Sequence, residues 1–179
     1  MSAEGGPVES IRITHVLECL ADSSKIRVMA EISCDITEAM PYLAALLPQA
    51  GYNHSAALMT LMREGRLITV YPRMVTVAKA LDEDDAQDVL EWLRGRINEA
   101  YARRGELVPC LERRRSPRLL DIYRLLPRDN CRLCGEATCM ALAARLVSGD
   151  ARVQDCTRMT EAEFARNREL LAEWLGSET

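Results

Sequence analysis

The sequence is short of aromatic residues, histidines and lysines, and it lacks any long apolar run. Phe164 is its single phenylalanine, so Leu, Ile, Val, Ala and Met must fill the core. No run approaches the roughly 18 apolar residues that span a bilayer. The first ten residues, MSAEGGPVES, have neither the basic start nor the apolar stretch of a signal peptide. We therefore expect no membrane span and a cytoplasmic location, where thiols stay reduced.

Charge and motif content narrow the function classes further. The net charge of −4 argues against a protein that coats nucleic acid, and we expect no nucleic-acid partner. The sequence contains no Gly-rich phosphate loop, no Ser-His-Asp set and no flavin or nucleotide fingerprint. We therefore predict that the chain is not itself an enzyme.

The N-terminal half has the periodicities of a mixed fold. Residues 11–17 and 26–32 alternate between apolar and polar, which predicts a hairpin with one buried face and places His15 on that face. A helix is predicted over 37–47, and three short strands follow between 57 and 78. Asp82 then opens the clearest helix, with Gly105 at its end. This order predicts an α+β fold: a two-layer sandwich with a mainly antiparallel sheet, spanning residues 10–105.

The C-terminal half begins with a predicted linker over residues 106–116. Eight arginines crowd residues 101–128, among them the run Arg113–Arg115 of the linker, and they form either a solvated face or a docking patch for an acidic partner. Residues 117–179 are predicted to form a small helical domain. Ser116 is the expected N-cap of its first helix, and Thr160 with Glu163 forms the expected capping box of its last.

Four of the seven cysteines lie close together in this helical domain. Cys131, Cys134, Cys139 and Cys156 follow the pattern C-x2-C-x4-C-x16-C, which is ligand spacing. A tight loop can deliver the first three thiols to one side, and Gly135 would let its backbone approach inorganic sulfides.

A helix is expected to start at the third of these cysteines. Thr138 is its candidate N-cap and Gly149 its end, so that the positive end of the helix faces the site. Arg128, Asn130 and Arg132 are candidate donors around the thiolates.

Spacing alone leaves two kinds of metal site open. Four cysteines bind either an iron–sulfur cluster or a structural zinc ion. A zinc knuckle usually closes within a few residues with a histidine, whereas His15 and His54 lie far from these cysteines. The spacing therefore favours iron–sulfur. Cys19 and Cys34 are expected in the core, and Cys110 is expected to be more exposed.

The segment over residues 126–156, LPRDNCRLCGEATCMALAARLVSGDARVQDC, resembles a known family. It is similar to the iron–sulfur domain of the large subunit of the corrinoid iron–sulfur protein and of the B subunit of Rnf-type electron-transport complexes. The resemblance implies one [4Fe-4S] cluster per chain on Cys131, Cys134, Cys139 and Cys156. Arg132 stands where a glycine is frequent in those relatives. A corrinoid-binding barrel has no room in this chain, so the resemblance does not extend to the family's substrate chemistry.

These observations predict an electron-transfer protein whose partner is a metalloenzyme or a corrinoid protein. Two alternatives remain: an iron–sulfur maturation or sensing module, and a zinc-stabilised binding module.

Overall fold

The computed structural model describes residues 6–20 and 22–175. Its strands are β1 Ile11–Glu18, β2 Ile26–Ile32, β3 Gly51–Asn53, β4 Leu58–Arg63, β5 Arg66–Val70 and β6 Met74–Ala80. Its α-helices are α1 Met40–Leu46, α2 Glu83–Ala102, α3 Leu119–Leu125, α4 Cys139–Ser148 and α5 Ala165–Leu175. None of these helices is long and apolar enough to cross a membrane.

The six strands form one antiparallel sheet in the order β1-β2-β6-β5-β4-β3. Helix α2 packs against β1, β2 and β6, and α1 packs against α2. The large buried side chains between helices and sheet include Ile32, Leu43, Ile68, Leu90 and Leu93. The predicted α+β fold with a mainly antiparallel sheet and a helical C-terminal part is confirmed.

The start and the buried face of helix α2 follow the sequence pattern, but the helix ends at Ala102, with Arg103 as its C-cap, and not at Gly105 as predicted. The Asp82 side chain accepts a hydrogen bond of 2.8 Å from the Asp85 N–H and so caps the helix. Its apolar positions at helical spacing are all buried: Ala86, Val89, Leu90, Leu93, Ile97 and Ala100. Burial of this stripe fixes the helix on the sheet.

The prediction that His15 is a core residue is wrong. The pairing of β1 with β2 shifts register between Ile13 and His15, which is the signature of a β-bulge. Beyond the bulge the strand is exposed on both faces, and His15 lies in solvent with Nδ1 3.1 Å from the Thr14 hydroxyl. The alternation of apolar residues cannot reveal a bulge, because the register depends on the neighbouring strand.

Several element boundaries also differ from the prediction. Helix α1 begins at Met40 rather than residue 37, and β3 lies inside the predicted loop over residues 49–55. The predicted turn over residues 21–24 falls partly outside the described residues, since residue 21 is not among them.

Contacts divide the chain into two compact units. The first comprises the described residues up to Leu61 together with Arg66–Arg115. The second comprises Met62–Gly65 and the described residues from Ser116 onward. The domain ranges 10–105 and 117–179 stay predictions, because this division does not test independent folding.

The second unit is helical, but its helices start later than predicted. Helix α3 begins at Leu119 with Arg118 rather than Ser116 as its N-cap. The expected capping box is wrong: the Thr160 hydroxyl donates to the Thr157 carbonyl at 2.6 Å, within a short 3-10 turn. The core of this unit contains the fully buried Ile122, Leu142, Met159 and Leu171.

The prediction that the arginines form a solvated face or a docking patch is wrong for Arg114, whose side chain bonds within the protein. Its guanidinium donates to the carbonyls of Leu47 at 2.7 Å, Ala50 at 3.1 Å and Ala44, all at or beyond the C-terminal end of α1. Its backbone pairs with Tyr52 as an isolated antiparallel bridge. Burial lowers the pKa of Arg114 below its ordinary value. Arg114 is therefore a structural residue of the first unit.

Candidate metal centre

Cys139 is the first residue of helix α4 and is buried. The Thr138 side chain accepts a hydrogen bond of 3.1 Å from the Ala141 N–H and caps the helix, as predicted. Gly149 ends it in the left-handed conformation with φ +74°, also as predicted. The thiol therefore lies at the positive end of the helix, where a thiolate is favoured.

The loop before α4 is held by short side chains. The Asn130 carbonyl oxygen accepts a hydrogen bond of 2.8 Å from the Cys139 N–H, which ties the loop to the helix start. The Asp129 carboxylate accepts from the Cys131 N–H at 3.3 Å. Asn130 was predicted as a donor around the thiolates, but here its carbonyl accepts a bond from the backbone. Cys131 and Cys134 lie in this loop and are half-buried.

Left-handed backbone conformations recur along this loop. Arg128, Asn130 and Arg132 have φ values of +62°, +50° and +63°, and Gly135 has +84°. Glycine adopts such φ values without strain, so the glycine that the resemblance implies at position 132 would suit this conformation. A Cβ at Gly135 would meet no atom of the described chain within 4 Å, so its φ, not lack of room within the protein, is the reason for glycine.

Cys156 follows a short 3-10 turn over Val153–Asp155 and is buried in the core of the helical unit. Burial raises the pKa of the Cys156 thiol. The N–H groups of Met159 and Arg158 oppose that rise by hydrogen bonding, while Cys134 and Cys131 add to it by their charge. Burial and like charge together disfavour the thiolate form of Cys156.

An ion pair that the sequence pattern did not predict joins the loop to this returning segment. Arg158 contacts the carboxylate of Asp129 and lies 2.6 Å from that of Glu161. Asp129 and Arg158 are far apart in sequence and follow no periodicity. The sequence pattern therefore could not predict that they form an ion pair. Arg128 and Arg132, predicted as donors toward the thiolates, are both exposed.

The remaining cysteines lie in the first unit. Cys19 and Cys34 are buried there, as predicted. Cys110 is half-buried, and its thiol lies 3.6 Å from the Glu112 carbonyl. These three cysteines therefore belong to a different unit from the other four.

The four thiols of the helical unit are a ligand set that an iron–sulfur cluster can use. Iron–sulfur clusters are held by cysteine thiolates, and N–H groups near the sulfurs stabilise them. Within residues 6–20 and 22–175, no three His, Cys, Asp or Glu side chains are arranged to hold a metal ion as they stand. The ligand set therefore stays a prediction, which spacing and grouping in one unit support.

The four cysteines lie in a small helical unit, and comparison with known proteins gives the class of this part of the chain. Residues 126–158 match a family model described as "Putative Fe-S cluster". This match confirms the iron–sulfur prediction for the C-terminal part of the chain.

Several similar proteins are subunits of larger assemblies. The gamma subunit of the acetyl-CoA decarbonylase/synthase complex from Methanopyrus kandleri is 42% identical over 53 residues, which is 30% of this chain and 12% of that protein. Its counterpart from Methanocaldococcus jannaschii is 34% identical over 68 residues, 33% of this chain and 14% of that protein. The corrinoid/iron-sulfur protein large subunit of Moorella thermoacetica is 44% identical over 43 residues, 24% of this chain and 10% of that protein.

The similarity is thus confined to one domain. The chain spans about an eighth of the length of the first two relatives. No solved structure matches the chain. The resemblance to corrinoid iron–sulfur proteins is confirmed for this domain.

Proposed function

We propose that this chain binds one [4Fe-4S] cluster through Cys131, Cys134, Cys139 and Cys156 and transfers electrons to a protein partner. The observation that carries the proposal is the grouping of these four thiols in one small helical unit that matches an iron–sulfur family model. Such a cluster accepts and releases one electron at a time, at a potential that its surroundings set.

The four cysteines would bind the cluster from different parts of the helical unit. Cys139 supplies a thiolate at the start of α4, where the helix dipole offsets negative charge. Cys131 and Cys134 would supply thiolates from the loop whose backbone has several left-handed residues. Cys156 would supply the fourth from the segment after α4. The N–H groups of Met159 and Arg158 near the Cys156 sulfur favour its charged form.

The proposed partner is a metalloenzyme or a corrinoid protein, and the exchange would take place in the cytoplasm. The relatives are named as subunits of a decarbonylase/synthase complex and as a corrinoid/iron-sulfur protein, which supports a partner of this kind. The chain itself is assigned no reaction. The α+β unit is the candidate for recognition of the partner.

The test is a set of Cys→Ser variants purified without oxygen. Replacement of any one of Cys131, Cys134, Cys139 and Cys156 should lower the iron and sulfide content and abolish the S = 1/2 EPR signal of the dithionite-reduced protein. The matched control is Cys19→Ser, which changes a buried cysteine of the first unit and should keep both.

Three results would contradict the proposal. Full iron and sulfide content in all four variants would remove the assigned ligands. Zinc at one ion per chain, without iron, would replace the cluster by a zinc-stabilised binding module. Ready transfer of the cluster to an apo-acceptor, without reversible reduction, would make the chain a maturation or sensing module.

A further inference from the structure

The four candidate ligands differ in how exposed they are to solvent. Cys139 and Cys156 are 6% and 4% exposed, whereas Cys131 and Cys134 are half-buried. The two residues between the half-buried cysteines are Arg132, which is exposed, and Leu133, which is 66% exposed. An incoming partner would therefore meet this loop first.

The charges of the loop that have no ion-pair partner are positive. Its two acids are engaged elsewhere, since Asp129 pairs with Arg158 and Glu136 pairs with Arg145. In the part of the chain that the structure describes, Arg128 and Arg132 contact no acidic side chain within ion-pair distance. Two unpaired positive charges thus flank Cys131 in a chain whose net charge is −4.

The backbone at these two arginines is in the left-handed conformation. Arg128 and Arg132 have φ values of +62° and +63°, a conformation that glycine adopts without strain and arginine does not. Residues with strained backbone conformations cluster at functional sites.

We propose that Arg128, Arg132 and Leu133 form the surface on which an electron-transfer partner with an acidic rim docks. We call these three residues the loop surface. The proposal rests on the proposed function, because the loop surface matters only beside a redox centre. A four-thiolate cluster is itself anionic, so the two arginines offset a charge that would otherwise repel an acidic partner. Leu133 supplies the apolar centre and the arginines the polar rim that are usual in protein interfaces.

The test measures the charge that a redox reagent meets at the site. The protein is reduced without oxygen and mixed with one of two cobalt(III) complexes, the tris(oxalato) anion or the hexaammine cation. One electron leaves the protein and reduces Co(III) to Co(II), and stopped-flow absorbance gives the rate. The variant R128Q/R132Q is compared with R113Q/R115Q, which removes the same charge from two exposed arginines of the first unit.

In R128Q/R132Q we expect oxidation by the anion to slow by about threefold to tenfold at low salt, and oxidation by the cation to quicken. High salt should remove both differences, because it screens the charges. R128K/R132K should react like the unchanged protein, and R113Q/R115Q should change little.

Equal rates in R128Q/R132Q and the unchanged protein would overturn the proposal while leaving the cluster in place. If R128Q/R132Q lost iron, the single variants R128Q and R132Q would take its place, each with about half the effect on the logarithm of the rate. Absence of iron from the unchanged protein would overturn the proposed function, and the loop surface with it.

Discussion

The guanidinium of Arg158 contacts the carboxylate of Asp129 and so joins the two segments that carry the candidate ligands. Asp129 also accepts the Cys131 N–H and lies 3.9 Å from the Cys139 sulfur. Arg158 follows Cys156 by two residues and lies 2.6 Å from Glu161. This ion pair closes the site across a long stretch of sequence.

Replacement of Arg158 by Gln should speed loss of the cluster. The variant removes the ion-pair partner of Asp129, so the loop and the returning segment separate more readily and a chelator gains access. We expect several-fold faster bleaching under anaerobic chelator challenge, with full folding by circular dichroism. The control is Arg166→Gln, which removes an exposed arginine of α5. Equal bleaching in the two variants would show that the ion pair does not close the site.

The conformation at position 132 predicts an unusual order of stability. Arg132→Ala keeps a Cβ at φ +63°, whereas Arg132→Gly removes it. Because the left-handed conformation costs an L-residue roughly 1–2 kcal/mol, part of which the freer unfolded glycine offsets, the Gly variant should be more stable than the Ala variant by about 1 kcal/mol. Chemical denaturation measures the difference. An Ala variant more stable than the Gly variant would contradict the left-handed assignment.

Arg114 should be far more important for stability than its neighbours. Replacement by Met leaves the carbonyls of Ala44, Leu47 and Ala50 without their shared donor. We expect the free energy of unfolding to fall by about 2–4 kcal/mol, since buried acceptors lose charge-assisted bonds. Arg113→Gln changes an exposed side chain and should stay within about 0.5 kcal/mol. Similar values for both variants would refute the structural role of Arg114.

The ion pair between Arg66 and Asp85 predicts a dependence of stability on pH. Burial would raise the pKa of Asp85, but hydrogen bonds from Arg66 and the Leu81 N–H, with the charges of Arg66 and Lys25, hold it below its ordinary value. A lowered carboxyl pKa stabilises the folded state above the unfolded pKa of about 3.9, and this stability is lost as pH falls through the native value.

Asp85→Asn should therefore be less stable than the unchanged protein near neutral pH, and the difference should shrink below about pH 4. Thermal unfolding followed from pH 7 to pH 3 measures it. A difference that stays constant over this range would mean that the Asp85 charge does not contribute.

Features set by local sequence were predicted well. Asp82 caps α2, Thr138 caps α4 and Gly149 ends it, because each depends on residues within one or two helical turns. The iron–sulfur class was also predictable, since cysteine spacing is a local pattern.

Features set by residues far apart in sequence were missed. The bulge that exposes His15 depends on the pairing of β1 with β2, and the role of Arg114 depends on carbonyls in a distant helix. Strand β3 is three residues long and is defined by its partner strand rather than by its own composition. The predicted capping box at Thr160 had the right residues, but two 3-10 turns occupy that segment before α5 begins.

The most direct test of the central claim is native mass spectrometry of the full chain prepared without oxygen. We predict one added [4Fe-4S] core per chain, which disappears in Cys131→Ser or Cys156→Ser and persists in Cys34→Ser. A mass increase equal to one zinc ion, or a [4Fe-4S] core retained in both Cys131→Ser and Cys156→Ser, would contradict the account.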